Sequence, residues 1–396
     1  MNYILVDLPK HKENLLPLTY FRPIAELRIG IDTLKEKWED LLEEKVSFLT
    51  DDYLSEKFPV KWASENIYIS SHIIPNEEVI GEIKNLSTFT SLFDDSGEII
   101  AYKGNEITRE EFIEIHKKGT DKMIPSPKKI CFPWDLVRLN ELQILSDFER
   151  IIKGKQPEKL SKTNLIIGKQ PVFIEKGAKV EACVFNTENG PVYVGENVLI
   201  MEGSMLRGPL AIMENSVIKM GAKIYGGTTI GPSSKVGGEV KGSIFLGNAN
   251  KGHDGYLGDS VIAEWCNLGA DTNNSNLKNN YSEVKMWNYP AKDFIPTGMQ
   301  FMGLIMGDHS KSGISTMFNT GTVVGVSANV FGGDFQPKFF PSFKWGNKQE
   351  MQDYRFDKAL EVAKIVMQRR NKNFDEVEKR LFENIYKLAK QKESII

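Results

Sequence analysis

Between Lys241 and Asn276 the chain reads KGSIFLGNANKGHDGYLGDSVIAEWCNLGADTNNSN, and here the side chains best suited to chemistry gather. His253 is bracketed by Gly252 and Gly255. An imidazole with an ordinary pKa of ~6.5 can take a proton from a reacting group near neutrality. The flanking glycines let two reactants approach its backbone closely. Taken alone, His253 reads more readily as a satisfied histidine at a chain corner. Lys223 and Lys241 stand 18 residues apart. On a coil of three six-residue sides that interval stacks them on adjacent turns, roughly 5 Å apart. Two stacked cations either share an anion or are simply solvated.

The element that must position these residues is written in a six-residue period. Val194, Ile200, Leu206, Ile212, Ile218, Ile224, Ile230 and Val236 are aliphatic at every sixth place. An α-helix, with its period near 3.6, and an alternating strand do not need that pattern. A prism of flat six-residue sides does, with one side chain per side pointing inward. Gly195, Gly231 and Gly237 suit its corners. Ile174 and Val180 enter the same frame, Gly242 is expected to break it, and irregular coils continue through Leu257 and Leu268. Phe318, Val324 and Val330 resume it. Tyr281–Gln300 reads as a protruding loop or strand pair. The helical spacings in Met351–Arg369 and Phe374–Lys390 predict a pair of helices capping the open end of the stack.

The N-terminal third reads differently. Tyr3–Leu8, Val46–Leu49, Asn66–Ile69 and Glu98–Tyr102 are strand candidates, alternating with helical stretches at 31–41, Glu77–Leu86 and Thr108–Lys117. That alternation predicts a three-layer α/β domain. Phe132–Ile152 reads as one helix and Lys153–Lys162 as a polar linker. The expected organisation is an α/β domain over 1–130, a linker helix over 131–160, the coils over 161–345 and terminal helices over 346–396.

Asn250-Lys251-Gly252-His253-Asp254-Gly255-Tyr256-Leu257-Gly258-Asp259, then Asn267-Leu268-Gly269-Ala270-Asp271-Thr272, then Asn276, resemble the acetyltransferase half of the GlmU-type bifunctional sugar-1-phosphate enzymes, in a divergent Bacteroidetes-like branch. The likeness implies a nucleotidyltransferase-like domain joined to a left-handed parallel β-helix, and a homotrimer. It implies transfer of acetyl from acetyl-CoA to glucosamine-1-phosphate. His253 would be the base, Asn276 would orient the amine or the histidine, and the Ala270 N–H would face the oxyanion. Lys223, Lys241, Tyr256 and Asn267 would hold the sugar phosphate, and Lys285 and His309 the coenzyme; His309 alternatively bonds within the coils.

In the N-terminal domain, Arg22 and Pro23 fit the family's Arg-Pro loop and give Arg22 a nucleotide-binding role or that of a strut. The Gly-rich phosphate turn is replaced by Asp7-Leu8-Pro9-Lys10, the next lysine by Ile24, and the metal aspartate by Ser70-Ser71-His72. Lys10 or Lys12 could take over the phosphates of UTP and Asp7 the Mg²⁺. Uridylyl transfer is therefore expected to be weak or lost. Two alternatives stand: a UTP- or dTTP-dependent nucleotidyltransferase with regulatory coils, and a non-catalytic scaffold.

Composition sets the outer limits. The chain is 41% hydrophobic and 26% charged with a net charge of -3, which argues against nucleic acid or an anionic membrane as partner. Cys131, Cys183 and Cys266 are scattered and form neither a disulfide framework nor a metal motif. The N-terminal apolar stretch turns charged too soon for a signal peptide, and no run approaches the ~20 residues of a membrane span, so a cytoplasmic protein is expected. Two coil-domain histidines, His253 and His309, are too few for the three-histidine zinc site some such coils carry.

Overall fold

A computed structural model describes residues 2–115 and 122–393. The chain divides into two compact units, one of residues up to Leu27 with Asp32–Asp135, the other of Arg28–Ile31 with Leu136–Ile396.

The first unit is a mixed α/β sheet. Its elements run β1 (Asn2–Val6), α1 (Pro9–Asn14), α2 (Leu34–Leu42), β2 (Val46–Leu49), α3 (Asp52–Ser55), β3 (Asn66–Ser70), α4 (Glu77–Lys84), β4 (Ser91–Asp94), β5 (Ile99–Gly104), α5 (Arg109–Glu114) and β6 (Lys122–Ile124). Strand order is β2-β1-β3-β5-β4-β6. β1 lies parallel to both β2 and β3, whereas β5 is antiparallel to β3 and β4. All four expected strands are present. β4 and β6 are additional; they are short, and only β4 is apolar and buried enough to have shown itself. The helix expected to reach Lys117 is α5; His116 and Lys117 lie outside the described residues. Thr33 and Thr108 start α2 and α5 with reciprocal capping boxes to Glu36 and Glu111.

The second unit is a three-faced parallel β-helix with C-terminal helices. Its faces are sheets of six, nine and ten strands, almost all two or three residues long. The eight six-step residues from Val194 to Val236 are all buried, none exposing more than 2%. Each such aliphatic side chain contributes ~1.5–3 kcal/mol by leaving water. The period then shortens. Ile224 pairs with Val240, only 16 residues on, so the frame breaks at Gly237–Gly238, ahead of Gly242. After Val236 the column on that face continues through Lys251, Leu268 and Ser312 to Val330. Lys285–Asn288 and Asp293–Pro296 form the expected protruding hairpin.

α6 (Pro133–Ile152) runs from one unit into the other, and its part from Leu136 packs on the coils. Ile144 and Phe148 pack with Ile31, Phe173, Tyr193, Ala211 and Met213. The Asn140 amide donates to the Gly227 carbonyl (2.8 Å) and accepts from Gly30 N (2.7 Å). Gly30 sits at φ +73 and a Cβ there would lie 2.3 Å from an Asp147 oxygen, so only glycine fits beneath the helix. At the far end, Met351–Asp353 is a strand paired with Lys344–Gly346, so the first terminal helix starts later than its spacing suggested, as α7 (Phe356–Gln368), followed by α8 (Glu376–Glu393). Glu393 accepts from Ser342 N on the last coils, which is the expected cap. The pair also reaches back along the flank, where Arg370 donates to Asn250 (2.8 Å).

Candidate functional site

His253 stands exposed at a corner between two short strands. Backbone of the two adjoining coils packs against its loop. Gly238 of the preceding coil packs on the His253 carbonyl, and Asp271 N of the following coil donates to the Asp254 carbonyl at 3.0 Å. That second bond sets the Gly269–Ala270 corner beside the His253 corner. The Ala270 N–H donates to no acceptor among the described residues. Gly255, at φ +115, lets the chain turn here; a Cβ would come within 2.4 Å of the Thr272 carbonyl oxygen. A free imidazole next to a free N–H donor is an arrangement that can move a proton and stabilise a developing oxyanion.

Lys251 lies beneath this corner. It points into the prism at a place where the same column holds Ile200, Ile218 and Val236. Its ammonium donates to the His253 carbonyl (2.8 Å) and the Gly237 carbonyl (3.4 Å). Burial pushes the Lys251 pKa down to about 8, with Asp254 and Asp271 opposing. Sequence reasoning did not single it out, although it stands six residues after Phe245 and six before Leu257 and so falls on the inward beat.

A second group forms on the adjoining face. Asn276 Nδ2 donates to the Tyr256 hydroxyl (3.0 Å) and to Asp259 Oδ2 (2.5 Å), so the amide is committed to these two rather than to the His253 ring. Burial raises the Asp259 carboxyl above its ordinary pKa, with Asn276 and Lys241 opposing. Burial, with Asp259 nearby, pushes the Tyr256 hydroxyl up to about 12. The Lys241 ammonium lies 5.0 Å from the centre of the Phe301 ring. Lys223 does not stack on Lys241, contrary to the 18-residue reading. In the shortened coil Lys223 sits opposite Glu239, Glu239 opposite Tyr256, and Lys241 opposite Gly258. Opposite charges thus meet where like charges were expected. Lys223 instead helps line a cavity of about 290 Å³ with Asn186, Arg207 and Tyr225.

The remaining candidates are dispersed. Asn267 is exposed, opposite Asn250. Lys285 is exposed on the hairpin. His309 is 5% exposed, stacked on Trp265 and met edge-on by Phe382 of α8 at 4.8 Å, which fits a role within the fold and not on an open coenzyme surface.

In the first unit Arg22 is buried, with Nη1 donating to the Leu18 carbonyl at 3.0 Å. Asp7 does not fit Mg²⁺. Its Oδ1 accepts from Ile24 N and Ser71 Oγ, and its Oδ2 from Lys12 Nζ and Thr50 Oγ1, so its lone pairs are taken within a buried network. Lys12 is equally committed, to Asp7, Thr50 and Asp51, which leaves it no freedom to meet a phosphate. Lys10 lines a larger cavity, of about 720 Å³.

Comparison with known proteins agrees with this anatomy. Residues 3–156 match the family model described as sugar nucleotidyl transferase. Over 193 residues, 49% of this chain, it is 34% identical to the bifunctional protein GlmU of Methanocaldococcus jannaschii. Over about half its length the chain is similar to GlmU-type bifunctional proteins. It is also 30% identical over 43% of its length to a bifunctional sugar-1-phosphate nucleotidylyltransferase/acetyltransferase of Sulfurisphaera tokodaii, and 26% identical over 45% to the uncharacterized acetyltransferase YaiX of Escherichia coli strain 536. The matched stretch spans 40% of the length of each of the first two and 77% of the last.

Proposed function

We propose that the β-helix unit moves acetyl from acetyl-CoA to the amine of glucosamine-1-phosphate, supplying a precursor of UDP-N-acetylglucosamine in the cytoplasm. The observation that carries this reading is the paired corner, His253 beside the unoccupied Ala270 N–H, tied by the 3.0 Å bond from Asp271 to Asp254. In the proposed reaction His253 takes a proton from the substrate ammonium. The freed amine attacks the thioester carbonyl, and the Ala270 N–H donates to the oxygen that becomes negative. As the tetrahedral intermediate collapses to the amide and expels the coenzyme as thiolate, its nitrogen gives up a second proton; of the two protons released, His253 delivers one to the thiolate and the other passes to solvent. Lys251 holds the His253 backbone in place from within. Lys241 offers charge to the sugar phosphate, with Tyr256, Asn276 and the exposed Asn267 positioning the sugar. Lys285 is the candidate contact for the coenzyme, and three copies of the chain would complete the sites of a homotrimer.

A thiol-release assay over amino sugars, phosphorylated and not, tests the proposal. Turnover restricted to a phosphorylated amino sugar is expected; no turnover with any amino sugar would sink it.

The family match over residues 3–156 favours a second reading, nucleotidyl transfer from UTP or dTTP by the first unit with the coils regulatory. Asp7 and Lys12 do not supply the Mg²⁺ and phosphate contacts that chemistry needs, so we infer that uridylyl transfer is weak or lost.

A further inference from the structure

We propose that the α/β unit carries a site for a divalent metal ion of borderline softness, of the zinc class, held by His11, His72 and Cys131. The donor atoms of these three side chains lie within 4.8 Å of one another. His11 and His72 are buried, and Cys131 is half-buried at the wall of the 720 Å³ cavity, which His11 also lines.

Unused donors point to a ligand. His72 is fully buried, yet neither of its ring nitrogens has a hydrogen-bond partner; Nε2 stops 3.6 Å from Glu98. His11 Nδ1 is buried and unpartnered as well. Leaving such atoms dry and unbonded costs about 1–3 kcal/mol each. A metal ion satisfies them. The other nitrogen of His11, Nε2, meets Glu98, and a carboxylate on the far side of an imidazole fixes the tautomer that turns the opposite lone pair toward a metal. Glu98 is itself anchored by Lys129.

The fold puts the cluster where ligands bind. β1 lies between β2 and β3, so the connection after β1 runs to one side and the connection after β2 crosses back past β1 to the other. His11 follows β1 and His72 follows β3. The crevice outside the carboxyl ends of two such parallel strands is the usual binding place of an open α/β sheet. Ile130 N donates to the His72 carbonyl at 2.8 Å, which brings Cys131 alongside.

Two imidazoles and a thiolate suit zinc, cobalt(II) or iron(II) and do not suit Mg²⁺, which takes oxygen ligands. Binding expels the Cys131 thiol proton to solvent and splays the two rings, which stack 3.9 Å apart, until their lone pairs converge on the ion. Three protein donors leave a tetrahedral ion one further position, open to water or to an oxygen ligand from the cavity.

The test uses the whole chain stripped of metal and titrated with Co²⁺, whose thiolate complexes absorb in the near ultraviolet. We expect one Co²⁺ per chain, a thiolate-to-cobalt band, displacement by Zn²⁺ and none by Mg²⁺ in large excess. Cys131→Ser removes the band while Cys183 and Cys266 remain. His11→Gln lowers the affinity at least ~10-fold and Glu98→Gln about 10–100-fold. Circular dichroism of each variant checks the fold, and if one fails to fold the others still read the site. Absence of stoichiometric binding to the wild-type chain, or a band that survives Cys131→Ser, overturns the proposal.

Discussion

In the proposed mechanism His253 and Lys251 divide one task, exposed chemistry for the first and buried support for the second. His253 is solvent-exposed at a corner, so His253→Ala is expected to lower kcat at least ~100-fold with little change in the unfolding midpoint. Turnover near that of the wild type would remove the base assignment. Lys251 gives a different signature. Its pKa is depressed from the ordinary lysine value to about 8, so between about pH 8 and 10 the unfolded chain binds the proton that the folded chain has released. Stability from this group therefore rises with pH across that window, and below it the folded chain bears the cost of a buried ammonium. Lys251→Met completes the aliphatic column, so the variant is expected to be more stable than wild type at pH 7, by ~1–2 kcal/mol, with the gap closing by pH 10. Its turnover should nevertheless fall, because the His253 carbonyl loses its tie. Denaturant melts at the two pH values, beside kcat, check both halves; a gap that widens with pH contradicts the assignment.

At the scale of elements, the coil stack rests on its inward column and its corners. Ile218 is fully buried between Ile200 and Val236, and Ile218→Ala is expected to cost about 2–5 kcal/mol through lost burial and the cavity left behind. Gly255→Ala should cost a similar amount for another reason, since it combines strain at φ +115 with a clash on the Thr272 carbonyl. Because that corner also turns the His253 loop, activity should fall further than stability alone explains. Urea melts of both variants, with activity measured at a urea-free temperature well below their midpoints, separate the two effects. The period shows why the lysine reading failed. A strict six-step count holds from Val194 to Val236 and nowhere signals that the next coil is two residues shorter. A two-residue slip is enough to move Lys223 from Lys241 to Glu239.

For the whole molecule, the two units make separable claims. With UTP, N-acetylglucosamine-1-phosphate and Mg²⁺, pyrophosphate release by the full chain is expected to be slow or absent, since the Asp7–Lys12–Thr50 network is closed on itself. Robust release abolished by Arg22→Ala would overturn that expectation and make Arg22 more than the strut its bond to Leu18 suggests. Light scattering at micromolar concentration is expected to give three times the 44.8 kDa chain mass, and a monomer would count against intersubunit sites. No described helix is long and apolar enough to cross a membrane.

What the sequence by itself determined is what repeats locally. The prism could be read because a six-step aliphatic beat has no other economical geometry, and the strand–helix alternation of the first third because each element carries its own pattern. The His253 segment could be read because its residues are contiguous. Tertiary structure decided what depends on distant segments meeting. Only the folded chain sets Ala270 beside His253, hands Asn276 to Tyr256 and Asp259, and closes Phe382 over His309. His11, His72 and Cys131 are the extreme case. Each is a lone residue in its own stretch, roughly sixty residues from the next, with no motif spacing to betray it. They converge because β1 and β3 are adjacent parallel strands and the Ile130–His72 bond draws a third segment onto their ends. Strand order is fixed by the packing of whole elements, and no local period in the chain encodes it.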